Sequence, residues 1–190
     1  MRPRVTVALF AAAALAATWF AVGRRASPGA VALSSSANVD LQRYMGTWYV
    51  IANIPYFAEN GNVAARDIYR LDGDGNVATT YVYRKAFDAA EKSLGSLGVV
   101  QPGTGGNFWI VRLFWLVRAD YLILEVAPDY SWALVGQPSR KLGWMLARDA
   151  AMDDAAYATL LAKFAGHGYA AERFRRVPQF RDQVGKPGFQ

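Results

Sequence analysis

The chain has 190 residues, of which 53% are hydrophobic, 14% aromatic and 19% charged, with a formal net charge of +6. This length and hydrophobicity predict one globular domain with a sizeable core and exclude a disordered chain. The absence of cysteine excludes disulfides, thiolate catalysis and cysteine metal sites. The positive charges are scattered, apart from a basic tail over residues 181–190, so we predict that the chain binds no nucleic acid.

The first 32 residues have the pattern of an export signal. The segment 1–4 is basic, and residues 5–22 are almost wholly apolar and rich in alanine. Residues 30–32 offer a small-x-small cleavage site before a Ser-rich linker over residues 33–38. We favour a cleaved signal peptide; the alternative is membrane association through an uncleaved anchor, for which residues 5–22 are long enough. Either route predicts a folded domain outside the cytoplasm.

The rest of the chain is organised around residues 39–55. Asp40 is a capping-type residue before a short amphipathic turn, Gly46 ends that turn, and a strand led by Trp48 runs to Pro55. This order predicts a plug at one end of a sheet. The alternative is an ordinary first strand with a buried tryptophan.

Seven further strands are predicted at close, regular spacing, separated by turns rich in Gly, Pro and Asp: residues 63–71, 77–87, 94–100, 108–115, 121–126, 132–135 and 142–148. The turn before Val77 begins like a calcium loop, but it lacks the glycine and the glutamate that such a loop needs, so we predict a hairpin. Eight short strands predict an antiparallel barrel or sandwich. A helix over residues 153–166 follows, with Asp153 as its cap, and residues 174–177 offer a last short strand.

Two of these strands are apolar on both faces, which indicates an internal cavity. Residues 108–115 are apolar except at Arg112, and residues 122–126 except at Glu125. A strand with two apolar faces needs an apolar neighbour on each face. The helix outside the barrel and the barrel interior would supply these two neighbours. A membrane barrel is disfavoured because the strands are short and the inward set is not polar. The alternative to a ligand cavity is a barrel filled by its own side chains.

Three separated motifs resemble those of the lipocalins, most closely the bacterial, outer-membrane type. They are Gly46-Thr47-Trp48-Tyr49, then residues 120–124 with 129–135, and finally residues 142–148 followed by a helix. The resemblance implies an all-β fold over residues 39–180, an eight-stranded antiparallel up-and-down β-barrel with one C-terminal α-helix packed outside. Many bacterial lipocalins carry a lipid-modified cysteine after their signal sequence, which this chain does not contain.

The resemblance also implies which residues face the cavity, because Trp48 points inward at the closed end in this family. The predicted ligand-binding set is Val50, Ala52, Asp67, Tyr69, Val82, Arg84, Trp109, Val111, Leu113, Leu122, Leu124, Leu142 and Trp144. Asp67 and Arg84 would then form an ion pair or meet a ligand head group, since unpaired buried charges are costly. We hypothesise that Arg84 binds an anionic head group. Alternatively both face solvent, because a one-residue slip exchanges the two faces of a strand.

A second set of residues is assigned to folding and not to binding: Gly46, Trp48, Asp129, Tyr130 and Arg148. In the family, the arginine that ends the third motif lies across the indole of the first motif. Such a cation–π contact contributes about 1–2 kcal/mol when it is shielded from water. We expect this contact to close the narrow end of the barrel.

We predict neither catalytic residues nor a metal site. His167 is the single histidine and lies between two glycines at the end of the predicted helix, so we interpret it as a C-terminal cap. The resemblance implies a non-enzymatic carrier without a cofactor, which binds a fatty acid, a lysophospholipid or a similar lipid for transport or storage. We expect it in the periplasm or on a membrane of the bacterial envelope.

Two other functions are weighed against the carrier. One is a lipid- or isoprenoid-modifying enzyme built on the same barrel, with a proton carrier among Asp67, Tyr69 and the mouth loops. The other is a stress-related envelope interaction protein whose cavity is incidental.

Overall fold

The computed structural model describes Leu33, Ser35 and residues 37–113 and 117–190. The predicted export signal, part of the linker and the end of the predicted strand 108–115 lie outside the described residues. Within the described part, no helix is both long enough and apolar enough to cross a membrane.

Eight antiparallel strands close into a barrel: β1 Gly46–Asn53, β2 Val63–Leu71, β3 Val77–Arg84, β4 Lys92–Val100, β5 Phe108–Leu113, β6 Val117–Val126, β7 Trp132–Gly136 and β8 Gly143–Ala147. Each strand pairs with the next along the chain, and β1 pairs with both β2 and β8. A ninth strand, β9 (Arg175–Arg176), pairs with the end of β1. The predicted up-and-down barrel is therefore confirmed, although β6 begins at Val117 and not at Tyr121.

Two α-helices flank the barrel at the places that the capping residues predict. The short helix α1 (Leu41–Tyr44) follows Asp40, whose carboxylate accepts hydrogen bonds from the N–H groups of Gln42 and Arg43. Helix α2 (Asp154–Gly166) follows Asp153, whose Oδ1 accepts from the N–H of Ala156 at 2.7 Å. These side chains satisfy amide groups that the first turn of a helix leaves without partners.

Helix α2 packs on the outside of the barrel. Leu160 and Phe164 are buried against the outer faces of the strands, whereas Ala156, one turn before Leu160, is exposed. The end of the helix is tied to β6 by Glu125, whose carboxylate contacts Lys163 at 2.7 Å and His167 at 2.9 Å. His167 is the C-cap residue of α2, as predicted.

The buried side chains form two clusters, one on each side of the barrel wall. The inner cluster contains Tyr44, Trp48, Tyr69 and Trp109, and the outer cluster contains the buried residues of α2. Gly136 shows how closely the outer layer approaches, because a Cβ added there would lie 2.1 Å from the Tyr169 hydroxyl. Both apolar neighbours predicted for these strands, the outer helix and the barrel interior, are therefore present.

The closed end of the barrel is held by Arg148 and Trp48. The Arg148 guanidinium lies 3.9 Å from the centre of the Trp48 ring, and Trp48 is fully buried. Arg148 also donates hydrogen bonds to the carbonyls of Thr47, of Met45 and of two residues of α1. Gly46 has a φ of +98°, and a Cβ there would lie 3.3 Å from Arg148 Nη1, so a glycine suits both the backbone and the space.

Asp129 and Tyr130 support the same end of the barrel. The Asp129 carboxylate accepts hydrogen bonds from the N–H and hydroxyl of Ser131 within the turn between β6 and β7. The Tyr130 hydroxyl accepts from the N–H of Asp40 at 2.8 Å, and the Arg43 guanidinium lies 4.2 Å from the Tyr130 ring centre. The turn thereby fixes the segment that leads into α1.

We expect Arg148→Ala to lower the free energy of unfolding by about 2–4 kcal/mol, because it removes the stack on Trp48 and leaves several carbonyls without donors. Arg148→Lys should lose somewhat less, since an ammonium keeps the charge but not the planar fork. Urea unfolding followed by circular dichroism measures both. Arg70→Ala, at an exposed position of β2, is the matched control, and equal losses for Arg70→Ala and Arg148→Ala would contradict the assignment.

Candidate functional site

The upper part of the barrel, at the end opposite Trp48, contains a partly open cavity of about 100 Å3. It lies beneath the mouth loop, residues 54–62, which connects β1 to β2 at the end opposite Trp48. Six aromatic side chains line much of its wall: Tyr56, Tyr69, Tyr81, Trp109, Tyr121 and Trp144. The barrel is therefore not filled by its own side chains, although its lower part is.

Several residues of the predicted binding set lie on the cavity wall: Asp67, Tyr69, Trp109, Val111, Leu113 and Trp144. Val50 also points inward, but it packs with Trp48 in the inner cluster and does not line the cavity. The inward-facing residues that the family resemblance predicts are therefore correct for β2, for β5 and for the lower part of β1.

The predicted orientation of β3 is wrong. Thr79 and Tyr81 line the cavity, so Val82 and Arg84 lie on the opposite face of the strand. Arg84 lies 3.7 Å from Glu91 and donates a hydrogen bond to the carbonyl of Ala89. The predicted ion pair with Asp67 does not form, and the hypothesis of an anionic head group at Arg84 is wrong for this structure.

Four more predicted residues are buried away from the cavity. Ala52 belongs to the outer cluster because a bulge between Val50 and Ala52 reverses the alternation of β1. Leu122 and Leu124 also lie in the outer cluster, against α2. Leu142 precedes β8 and is buried, but it does not line the cavity.

Several residues of the wall are not among those predicted from the sequence: Tyr56, Glu59, Thr79, Tyr81, Leu94, Ser96, Ala119, Asp120, Tyr121, Gln137 and Leu146. For two of them a signal exists. Directly opposed residues of an antiparallel pair share a face; Asp67 is opposite Tyr81, and Trp109 is opposite Tyr121. Once the central residues of the turn between two such strands are known, counting outward from the turn gives the pairs of opposed residues. No pattern in the sequence singles out Glu59, because it lies in a loop.

Glu59 reaches from the mouth loop into the cavity and is almost fully buried, with 8% of its surface exposed. Its carboxylate accepts hydrogen bonds from Asn53 Nδ2 at 2.6 Å, Trp144 Nε1 at 2.9 Å and the Tyr56 hydroxyl at 3.1 Å. Burial raises the pKa of Glu59, and these three hydrogen bonds partly oppose the rise. All three donors are neutral, so they leave its charge uncompensated.

Asp67 lies on β2 at the end of a chain of tyrosine hydroxyls. The Tyr69 hydroxyl donates to Asp67 Oδ2 at 3.0 Å and lies 2.8 Å from the Tyr121 hydroxyl, which lies 3.0 Å from that of Tyr44. Burial is the main cause that raises the pKa of Asp67, to about 7, and repulsion from Glu59 adds to it, whereas the hydrogen bond from Tyr69 opposes it. Asp67 is therefore a carboxyl group that can be neutral or charged near neutral pH.

The C-terminal segment holds the mouth loop in place. Gln190 donates from Nε2 to Asn53 Oδ1 at 2.8 Å, and its Oε1 accepts from the N–H of Gly61 at 2.9 Å. Most of residues 181–190 are exposed, as expected of a tail, but this last residue is bound to both sides of the mouth loop.

Asp67→Asn should change the pH dependence of stability. An aspartate has a pKa of about 3.9 in the unfolded chain, so the folded state holds the proton more tightly. The stability that the neutral carboxyl contributes is present below about pH 4 and is lost as pH rises to about 7. As pH rises from about 4 to about 7, the free energy of unfolding of Asp67→Asn should therefore increase by about 2–4 kcal/mol relative to that of the natural chain.

Urea unfolding at both ends of that pH interval measures this change. The groups around Asp67 that could contribute are Glu59 from the mouth loop and Tyr69, Tyr81 and Tyr121 from three strands. Asp88→Asn makes the same change of charge at an exposed site and is the control. A stability difference that does not vary with pH would contradict the environment described for Asp67.

Comparisons with known proteins agree with this architecture. A family model described as a lipocalin-like domain matches residues 39–179. Temperature-induced lipocalin-1 of Arabidopsis thaliana is 32% identical over 151 residues, which cover 74% of this chain and 80% of that protein. Outer membrane lipoprotein Blc of Escherichia coli K12 is 27% identical over 151 residues, which cover 75% of this chain and 80% of Blc.

Solved structures share the fold at lower sequence identity. Lobster apocrustacyanin A1 has a TM-score of 0.59 at 19% identity, covering 80% of this chain and 93% of that one. Insecticyanin of the tobacco hornworm Manduca sexta has a TM-score of 0.58 at 18% identity, covering 78% and 84%. The family match spans the whole barrel and its three motifs, and the chain belongs to the lipocalin family.

Proposed function

We propose that the chain binds one single-chain amphipathic lipid, such as a fatty acid or a lysophospholipid, and transports or stores it in the cell envelope. The observation that carries this proposal is the cavity inside the barrel, whose walls are mostly aromatic and aliphatic. Lipocalins bind small hydrophobic ligands in this part of the barrel. Each methylene that leaves water contributes up to about 0.8 kcal/mol, and the polar groups of the wall select the head group.

The size of the cavity requires the mouth loop to move for a long ligand. Its volume of about 100 Å3 is below the roughly 300–1,000 Å3 of most ligand pockets. Tyr56 and Glu59 of the mouth loop occupy part of the wall, and the neighbouring Phe57 is 57% exposed. Withdrawal of Tyr56 and Glu59 would widen the cavity toward the surface and make room for the rest of a lipid chain.

The envelope location is supported by two observations. The relative from Escherichia coli is named an outer membrane lipoprotein, and residues 1–32 have the pattern of an export signal. Cell fractionation of the tagged full chain, with mass determination of the mature protein, tests export and cleavage together.

A lipid-modifying enzyme is the second candidate, and one observation favours it. Asp67 has a pKa of about 7 and accepts a hydrogen bond from Tyr69, and a group that gains and loses a proton near neutral pH suits general acid–base catalysis. Mass spectrometry of the bound lipid during incubation separates the two functions. A lipid of unchanged mass supports the carrier, whereas a change of mass that Asp67→Asn abolishes would establish the enzyme.

Native mass spectrometry of the protein purified from its own envelope, before and after mild delipidation, tests the carrier directly. We expect one lipid per barrel, removable and replaceable by added fatty acid or lysophospholipid. Protein that stays empty under both conditions would refute the proposal and would favour a protein whose cavity is incidental.

Ser96→Phe should abolish lipid binding, because Ser96 lines the cavity and a phenyl ring there would fill it. Ser93→Phe is the matched control, since Ser93 is exposed and lies on the other face of β4. The inward variant is expected to lose about 1–3 kcal/mol of stability through overpacking, so unfolding is measured beside binding. Equal lipid affinity for the two folded variants would place the binding site elsewhere.

A further inference from the structure

The cavity of this protein is acidic. Glu59, Asp67 and Asp120 line it, and among the described residues of its wall there is no lysine, arginine or histidine. Elsewhere in the described chain, acidic side chains of the barrel and of α2 are paired with bases, as Glu125 is with Lys163 and Asp154 is with Arg176. The charges of Glu59 and Asp67 therefore lack the protein counter-charge that buried carboxylates normally have.

The hydrogen bonds of Glu59 suit a carboxylate that accepts from every neighbour. Trp144 can only donate. The orientation of the Asn53 amide is fixed because its Oδ1 accepts from Gln190, which turns Nδ2 toward Glu59. These donors hold the carboxylate in one position at the roof of the cavity and supply no positive charge.

The tyrosine chain orients its protons toward Asp67 in the same way. Each hydroxyl has one proton, so when Tyr69 donates to Asp67, Tyr121 can donate to Tyr69 and Tyr44 to Tyr121. Hydrogen bonds that all point toward Asp67 in this way stabilise a negative charge on its carboxylate. Asp67 retains accessible surface and lines the cavity, so a ligand can reach it.

The two carboxyl groups face a common space that aromatic rings surround. Glu59 and Asp67 line the same cavity, so a cation bound in it would interact with both. The rings of Tyr81 and Trp144 also line this space, and aromatic faces attract ammonium groups. The carboxylate of a fatty acid would instead add a further negative charge to this site, so among the amphiphiles of the proposed function a fatty acid should bind least tightly.

We propose that the cavity selects amphiphiles whose head group is an ammonium, and that Glu59 and Asp67 are the counter-charges that recognise it. The proposal rests on the proposed function, namely that the cavity holds one amphipathic ligand. A volume of about 100 Å3 accommodates a group of a few heavy atoms, such as an ammonium and its first carbons. The ammonium belongs either to a simple alkylamine or to a zwitterionic lipid, and the test below distinguishes the two.

The test compares ligands of one chain length that differ only in charge: an alkylamine, the alcohol and the carboxylate. Binding to the full, delipidated protein is measured by calorimetry at about pH 8, where a typical aspartate is ionised and a typical alkylamine is protonated. We expect the amine to bind at least about tenfold more tightly than the alcohol, and the carboxylate more weakly than the alcohol. A second comparison uses a zwitterionic lysolipid with an ammonium group and its anionic analogue. It shows whether the cavity binds the ammonium of a lipid as well as that of a simple alkylamine.

Asp67→Asn should reduce the ratio of amine to alcohol affinity by about tenfold, whereas Asp88→Asn, with the same change of net charge, should leave it unchanged. Glu59→Gln provides a second variant if Asp67→Asn does not fold, and the ligand series on the natural protein needs no variant. Equal affinities for amine and alcohol, or tighter binding of the carboxylate, would overturn the inference and leave the carrier intact. Failure of all three ligands to bind would overturn both.

Discussion

The stack of Arg148 on Trp48 is the contact on which the rest of this barrel depends. It joins the end of β8 to the start of β1, and its hydrogen bonds reach the carbonyls of α1. The strands that close the barrel and the helix that covers its narrow end are therefore fixed by one side chain. Above them, Tyr44 and Trp109 meet edge to face at 5.6 Å, so the lower half is solid and the remaining space lies near the mouth.

The distribution of charge in the molecule is unusual for its composition. The chain as a whole carries a formal net charge of +6, yet the described residues of the cavity wall include three carboxyl groups and no base. Buried carboxyl groups without a counter-charge reduce stability, and such costs are commonly retained where they serve binding. The barrel provides the stability that makes this arrangement possible, since most of its buried surface is apolar.

The sequence predicts the fold better than it predicts the wall of the cavity. Strand order, both helix caps and the Trp48–Arg148 contact depend on local patterns and on three family motifs. The facing of a side chain depends on register, and bulges in β1 and β6 change the alternation at Ala52 and beside Leu124 without any residue that marks them. The facing of Arg84 is not predictable from the sequence, because β3 lacks a motif that fixes its orientation.

Glu59 illustrates a different limit of prediction. Its position depends on Asn53 and Trp144, which belong to other elements, and on the path of an irregular loop. Such contacts follow from the assembled tertiary structure and not from local pattern. The acidic character of the cavity could therefore be recognised only after the mouth loop was placed.

The contact between Gln190 and the mouth loop bears on the kinetics of the protein as well as on its structure. Asn53 and Gly61, at the two sides of the loop, are both bound to a residue that is more than a hundred positions away in the chain. If the loop opens to admit a long ligand, these bonds and those of Glu59 are the ones that must break. Entry and release rates would then depend on the opening of the loop, whereas affinity would depend on the cavity, so the two could change independently.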